Sequence, residues 1–368
     1  MGSSIRALQW LSTPMGMNGQ TLFPIRICEG MPDIPTDFAT YRIEDGDIRS
    51  RAEATGATVF VLPHRLRHPL RYYRAAVQLL REQKYDIVHC HGNSCTLALE
   101  LLAAKRAGIA VRIAHSHNSK GSFPLIHRLL RPAFDRSYTH AMACSENAGK
   151  WMFGKRPFEV IPNAIDPSAY QFDEAQRERL RSDWGWSGCR IVGVIGAFVP
   201  AKNHAFLLNA FAKARSERSD LRLILVGDGP LRPALERQCA DLGIGDSTRF
   251  LGKREDVPAL LSAMDLLAQP SLHEGLPTVA LEAQCSGLTA LLSQTITRET
   301  SLGGGVSFLP LNEAQWRDAL ISFTPIDRAE ASRMGMALAA RRGFDRDRTA
   351  KALRARYIRM ALHTQNQK

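Results

Sequence analysis

The sequence has no apolar run approaching the ~20 residues needed to span a bilayer. The longest, Ile191 to Ala201, is about half that length and is expected to be a buried strand followed by a turn. No charged segment followed by an apolar one stands at the start, so an export leader is not expected. Met1-Gly2-Ser3-Ser4 resembles a myristoylation start, but Arg6 stands where that pattern needs Ser or Thr. Seven cysteines occur (Cys28, Cys90, Cys95, Cys144, Cys189, Cys239, Cys285), an odd number with no Cys-x-x-Cys, which points to buried free thiols in a reducing cytoplasm. A Gly-x-Gly-x-x-Gly fingerprint is missing after the first strand pattern, which counts against a dinucleotide oxidoreductase. There is no Walker loop and no Gly-x-Ser-x-Gly, and no internal repeat or low-complexity stretch.

What is present is ordinary for an α/β chain: 368 residues, 45% apolar and 23% charged, with a net charge of +12. That length favours two domains over one core. The positive excess attracts polyanions, whether nucleic acid, acidic lipid surfaces or phosphorylated substrates. No aromatic-basic interleaving accompanies it, so nucleic acid is not expected as a partner. Short apolar strands alternate with amphipathic helices almost throughout, which predicts parallel sheets covered by helices on both faces. Strands are expected near 38–42, 58–62, 86–91 and 111–115, and again near 190–196, 221–226, 266–269 and 288–292. The pattern restarts midway. We therefore expect an N-terminal Rossmann-like domain over 1–165, a linker over 166–188, a second Rossmann-like domain over 189–344, and a C-terminal helix over 345–368 packing back on the first. Two such domains leave a cleft at the carboxyl ends of their strands, where ligands of these folds bind.

One segment carries chemistry on its own. A strand ending at Gln269 is followed by Pro270-Ser271-Leu272-His273-Glu274-Gly275-Leu276-Pro277-Thr278-Val279-Ala280-Leu281-Glu282. Pro277 suits a first helical turn, and Gly275 lets backbone approach a ligand closely. The N–H groups of Leu276, Thr278 and Val279 would make a helix N-terminus suited to a diphosphate. Glu274 lies just before the helix and Glu282 one to two turns into it. Carboxylates beside a phosphate site suit sugar hydroxyls, to which they act as acceptors. A capped helix with an exposed glutamate on each side would read the same.

The Ser-x-x-Glu-Gly-x-Pro-x-x-x-x-Glu-Ala context of this segment resembles the retaining glycosyltransferases of family 4, which have the two-domain GT-B fold. Further strings match in order: Ile161-Pro162-Asn163-Ala164-Ile165-Asp166, Gly196 to His204 with Lys202-Asn203, Leu223 to Pro230, and Phe250-Leu251-Gly252. In the first half, Ile87-Val88-His89-Cys90-His91-Gly92 and Arg112 to Asn118 resemble the capsular and exopolysaccharide branch. The resemblance runs from about residue 40 to near the end of the chain. It implies that Glu282 holds the ribose hydroxyls and Glu274 the transferred sugar. The amides of Gly275 and Leu276 and the turn at Pro277 and Thr278 would face the diphosphate, with Lys202 neutralising it as it leaves. His117 would contact the sugar, with His115 as the alternative. Preplaced cations and helix dipoles help most where charge grows in the transition state. Two positions depart from the family pattern: Ala197 stands where an arginine usually follows the loop glycine, and Gly16-Met17-Asn18-Gly19-Gln20 replaces a Gly-Gly-x-Glu-like loop. Arg254 is a candidate to supply the missing cation, and Gly19 to offer a backbone contact.

The resemblance implies transfer of a hexose-type sugar from a nucleotide diphosphate donor, expected to be UDP-linked, to a hydroxyl of a glycan or polyprenyl-linked acceptor. No cofactor and no metal are expected, the nucleotide-sugar being a substrate. Four histidines (His89, His91, His115, His117) lack a familiar zinc spacing; His89 and His91 read as core residues. Asp45-Gly46-Asp47 and Asp345-Arg346-Asp347 match the DxD string of a different glycosyltransferase fold, but each begins a helix and reads as a cap. His64 to Arg74 is basic and Lys120 to Arg131 basic and apolar, which suits either a membrane-surface helix or an ordinary amphipathic helix packed on its own sheet; the lipid-linked acceptors that the resemblance implies favour a cytoplasmic protein with peripheral contact to the acidic inner membrane face. A sugar-nucleotide epimerase of the same fold and a non-catalytic sugar-nucleotide-binding protein are the alternatives.

Overall fold

The computed structural model describes residues 5–121 and 124–365. The Met1–Ser4 start lies outside the described residues, as do Ser122 and Phe123 of the basic stretch and the last three residues. The chain forms two compact units, Met1–Ala164 with Gly343–Lys368, and Ile165–Arg342.

The first unit runs β1 (Ala7–Leu11), α1 (Gly19–Glu29), β2 (Thr36–Thr40), α2 (Gly46–Glu53), β3 (Val59–Val61), α3 (Pro69–Gln83), β4 (Ile87–Gly92), α4 (Ala98–Arg106), β5 (Val111–Ser116), α5 (Pro124–Asp135), β6 (His140–Ala143), α6 (Glu146–Phe153) and β7 (Glu159–Val160). Its seven strands are all parallel, in the order β3-β2-β1-β4-β5-β6-β7. β1 and β4 are buried along their whole length, as strands covered on both faces must be. The order reverses between β1 and β4, and the carboxyl edge there is where α1 begins, capped by Asn18 accepting from Thr21 N. Asp45 caps α2 in the same way.

The second unit runs α7 (Glu174–Asp183), β8 (Arg190–Ile195), α8 (His204–Glu217), β9 (Leu221–Val226), α9 (Arg232–Asp241), β10 (Thr248–Gly252), α10 (Val257–Ala263), β11 (Leu266–Gln269), α11 (Thr278–Cys285), β12 (Thr289–Ser293), β13 (Val306–Leu309), α12 (Glu313–Ser322) and α13 (Arg328–Arg341). Its six parallel strands follow β10-β9-β8-β11-β12-β13, with the reversal between β8 and β11. Two apolar layers enclose the sheet, one around Phe211, Leu223 and Trp316, the other around Ile224, Leu260 and Leu292. The final helix, α14 (Arg346–Gln365), is capped by Asp345 and packs in the first unit, where Leu353 and Tyr357 join Phe23 and Ile27 of α1.

Residues 166–188, expected as a linker, instead pack as part of the second unit. Asp173 caps α7, and Arg177 and Arg181 reach into the core to share the buried carboxylate of Asp265 (2.5 and 3.0 Å). A polar sequence conceals this, because the buried face of α7 is carried by Leu180 and an ion-paired arginine rather than by an apolar stripe.

Candidate functional site

In the second unit the segment after β11 is held rigidly before α11 begins. Ser293 Oγ and Thr295 Oγ1 both donate to the carbonyl of Ser271 (2.5 and 2.7 Å). Leu272 N donates to the carbonyl of Ala201 (2.8 Å), and Asn203 Nδ2 to that of Pro270 (3.3 Å). The loops following the two neighbouring strands at the reversal are thus joined. Gly227, at φ +138°, makes the adjoining approach feasible: a Cβ there would sit 2.0 Å from the carbonyl oxygen of Gly196. Gly196 is itself covered by the stem of Lys202, whose Cε would lie 3.3 Å from an added Cβ.

Lys202 ends a 3-10 turn over Pro200–Lys202, after which Asn203 takes a left-handed conformation and α8 starts at His204. Its Nζ donates to Glu274 Oε1, which also accepts from Ser271 Oγ (2.8 Å). The two residues that the resemblance assigns to the diphosphate and the sugar therefore pair with each other. Behind them α11 starts at Thr278 with no side chain capping it, so its first-turn amides are directed to the carboxyl edge of the sheet. Gly275, Leu276 and Pro277 are buried, Thr278 is half-buried, and Glu282 is buried on the helix. The hydrogen-bonded group is Lys202, Glu274 and Ser271, and the start of α11 and the buried Glu282 follow it in sequence. Arg254 is not in this hydrogen-bonded group; it follows β10, two strands from β8, and pairs with Asp256 (2.6 Å) on the surface. Ala197 is exposed beside Gly196.

The first unit brings the four histidines together. β5 stays regular through Ser116, so His115 and His117 share one face of the sheet and stack at 4.2 Å between ring centroids. Register places His91 beside His115 and Gln9 beside His89. His89 Nε2 meets His115 Nδ1 (3.0 Å), and His91 Nδ1 meets His117 Nε2 (2.8 Å). Tyr357 Oη of α14 lies 2.6 Å from His89 Nδ1, and Gln9 bridges the two pairs, with Nε2 donating to Tyr357 Oη (3.1 Å) and Oε1 2.7 Å from His91 Nε2. His117 Nδ1 lies 3.3 Å from Asn163 Oδ1, and its backbone N–H donates to Asn93 Oδ1 (3.2 Å). Phe23 of α1 covers the rings, 5.0 Å from His115 and 5.3 Å from His117. Burial pushes the pKa of His117 down to about 4 and of His89 to about 3. His91 and His115 are lowered too, by burial first and then by the neighbouring rings. All four are neutral near pH 7.

Nitrogens of His89, His91 and His115 lie within 4.8 Å of one another, a spacing a divalent metal could span. Binding one would break the hydrogen bonds that these rings make among themselves. Gly19 opens α1 with free space on its Cα side. Gln9 and Tyr357 belong to no motif of the sequence, and Asn163 enters only as a member of the Ile161–Asp166 string. Gln9 did leave a signal, being the lone polar residue in the buried strand Ala-Leu-Gln-Trp-Leu.

The basic and apolar stretches have a distinct surface. α5 exposes Leu125, Ile126 and Leu129 next to Arg128, while Leu66 and Leu70 are exposed among Arg67 and Arg71 at the start of α3. No helix among the described residues is long and apolar enough to cross a membrane.

Two family descriptions match the chain, Glycosyltransferase Family 4 over residues 36–169 and Glycosyl transferases group 1 over residues 189–323. A putative glycosyltransferase of Bacillus subtilis, EpsF, is 31% identical over 334 residues, covering 86% of each chain. A UDP-Gal:alpha-D-GlcNAc-diphosphoundecaprenol alpha-1,3-galactosyltransferase of Escherichia coli is 30% identical over 233 residues, 59% of each. Among solved structures, Anabaena HepE in complex with UDP and glucose superposes with a TM-score of 0.79 at 21% identity, covering 95% of this chain and 98% of that one.

Proposed function

This chain belongs to the family 4 glycosyltransferases and has their GT-B fold, and from that premise we propose that it moves a hexose from a UDP-sugar to a hydroxyl of a glycan or lipid-linked glycan with retention of anomeric configuration. The observation that carries this reading is the Lys202–Glu274 pair set before the uncapped start of α11. A cation and a helix N-terminus suit a diphosphate, and Glu274 and Glu282 suit the hydroxyls of the sugar and the ribose. Gly275, Leu276, Pro277 and Thr278 supply backbone to the phosphates. Arg254 and Gly19 are assigned supporting donor contacts, and His117 contact with the transferred sugar. UDP as carrier is supported by the HepE complex, and a lipid-linked acceptor by the name of the E. coli relative.

In the proposed reaction the bond from the anomeric carbon to the diphosphate oxygen breaks while a bond to the acceptor oxygen forms on the same face. The acceptor's proton passes to the departing diphosphate. Lys202 and the α11 amides stabilise the charge that develops there. No step is assigned to a metal or cofactor. The exposed apolar and basic surface on α3 and α5 is proposed to rest on acidic membrane, where a polyprenyl acceptor would be found.

The test is UDP or GDP release from a panel of sugar nucleotides, with and without polyprenyl-linked glycan. Acceptor-dependent release of UDP is expected. Nucleotide binding with neither transfer nor hydrolysis would replace this reading with that of a sugar-nucleotide-binding protein, which the loss of the usual arginine at Ala197 would then explain. Conversion of donor without acceptor would indicate an epimerase.

A further inference from the structure

The four buried histidines form two pairs, and one side-chain amide joins them. An amide has a donating end and an accepting end, so its orientation fixes the direction of every hydrogen bond on both sides. With Gln9 Nε2 donating to Tyr357 Oη, the phenol must give its single proton to His89 Nδ1. His89 then carries its proton on Nε2 and donates to His115 Nδ1, which leaves His115 protonated on Nε2. On the other side Gln9 Oε1 accepts from His91 Nε2. His91 Nδ1 is then a lone pair and accepts from His117 Nε2. Turning the amide over reverses both arms together and moves all four protons to Nδ1. No arrangement that keeps every one of these hydrogen bonds mixes the two.

We propose that Gln9 is a positioning residue that locks the four imidazoles into one shared tautomer, and thereby decides whether His117 offers a lone pair or a proton at Nδ1. With the Gln9 amide nitrogen facing Tyr357 Oη, that tautomer is the one protonated on Nε2. His117 Nδ1 is then an acceptor, and the Asn163 amide turns its nitrogen toward it, since amide oxygen and nitrogen exchange places without a change of shape. A sugar hydroxyl reaching His117 is bound as a donor. The chain of exchangeable protons ends at Gln9, because a neutral amide does not pass a proton on. His117 thus holds a hydroxyl and does not carry its proton away.

The consequence for turnover rests on the role given to His117 above; the tautomers themselves do not. Histidine-selective 15N labelling of the full chain distinguishes protonated from lone-pair ring nitrogens. In the wild type all four buried histidines should be neutral and protonated on Nε2. Finding the two pairs protonated on different nitrogens, or a stoichiometric divalent metal holding the lone pairs, would overturn the proposal. Gln9→Leu removes the bridge, and His117 should become a mixture of tautomers. With it kcat should fall by roughly tenfold or more, while KM for the donor stays within about twofold. Tyr357→Phe also removes buried hydrogen bonds but leaves Gln9 facing His91, so His117 should keep its tautomer. Equal kcat losses in the two variants, with the His117 spectrum unchanged in both, would reduce the array to a packing feature and overturn the proposal. If Gln9→Leu does not fold, the wild-type spectrum decides alone. Shared tautomers in a protein that transfers no sugar would contradict the proposed function and leave this inference standing.

Discussion

Replacing Glu274 by glutamine should tighten the binding of UDP while slowing sugar transfer. The Glu274 carboxylate engages Lys202 and Ser271, so the cation proposed to meet the diphosphate is already paired with an anion. Two unit charges about 4 Å apart attract by roughly 4 kcal/mol at an effective dielectric of 20. The side chains of Lys202 and Glu274 are 21% and 12% exposed, and screening brings this down to roughly 1–2 kcal/mol. A diphosphate must compete with that attraction and is also repelled by Glu274. Neutralising Glu274 should therefore raise UDP affinity roughly 5- to 30-fold. Lys202→Met should act in the opposite direction and depress kcat further, because charge on the diphosphate grows as the sugar leaves. Calorimetric titration with UDP, which has no sugar for Glu274 to hold, isolates the electrostatic effect. The double variant should show a coupling energy of similar size that shrinks in high salt. Weaker UDP binding by Glu274→Gln, with an unchanged folding midpoint, would refute the reasoning and make Glu274 a direct ligand of the nucleotide.

Three other outcomes are expected. Asp265→Asn removes the buried charge shared by Arg177, Arg181 and the N–H of Ile191, beside an Arg328 whose pKa burial already pushes down to about 9; the second unit should lose about 3–5 kcal/mol, read from its urea midpoint. The buried histidines bind protons less readily folded than unfolded, so stability should fall as pH drops from about 6.5 toward the folded values of about 4 for His117 and about 3 for His89. At pH 5 each should cost about 2 kcal/mol relative to pH 7, and equal urea midpoints at the two pH values would contradict the buried array. Leu125→Asp with Leu129→Asp, both on the exposed face of α5, should abolish flotation with acidic-lipid vesicles at low salt while leaving the melting temperature within a degree or so.

The alternation of strands and helices was legible because parallel strands are buried on both faces and so appear as short apolar runs. Leu221–Val226 is one example, fully apolar but for Arg222. Lys202 and Glu274 were legible as members of family strings. Their pairing was not, because it depends on β8 and β11 being neighbours at the reversal of strand order. The histidine array was legible only in part. The two-residue spacing puts His115 and His117 on one face only if the strand runs on through His117, and Gln9 and Tyr357 are 348 residues apart, so no local pattern connects them. The supposed linker was misread because α7 buries arginines against a carboxylate, which looks in sequence like a solvated helix.

The return of α14 to the first unit has a consequence for the order in which the protein can be made. Tyr357 and Leu353 complete the core over Phe23 and Ile27, yet the whole of Ile165–Arg342 must be translated before they leave the ribosome. At ~5–20 residues per second that interval is roughly 10–40 s. During it the face of the first sheet bearing the histidines lacks part of its cover, while the second unit has its entire sequence in one uninterrupted stretch. The domain synthesised first is therefore the one that finishes folding last, and its exposed apolar face is the surface a nascent-chain chaperone would find.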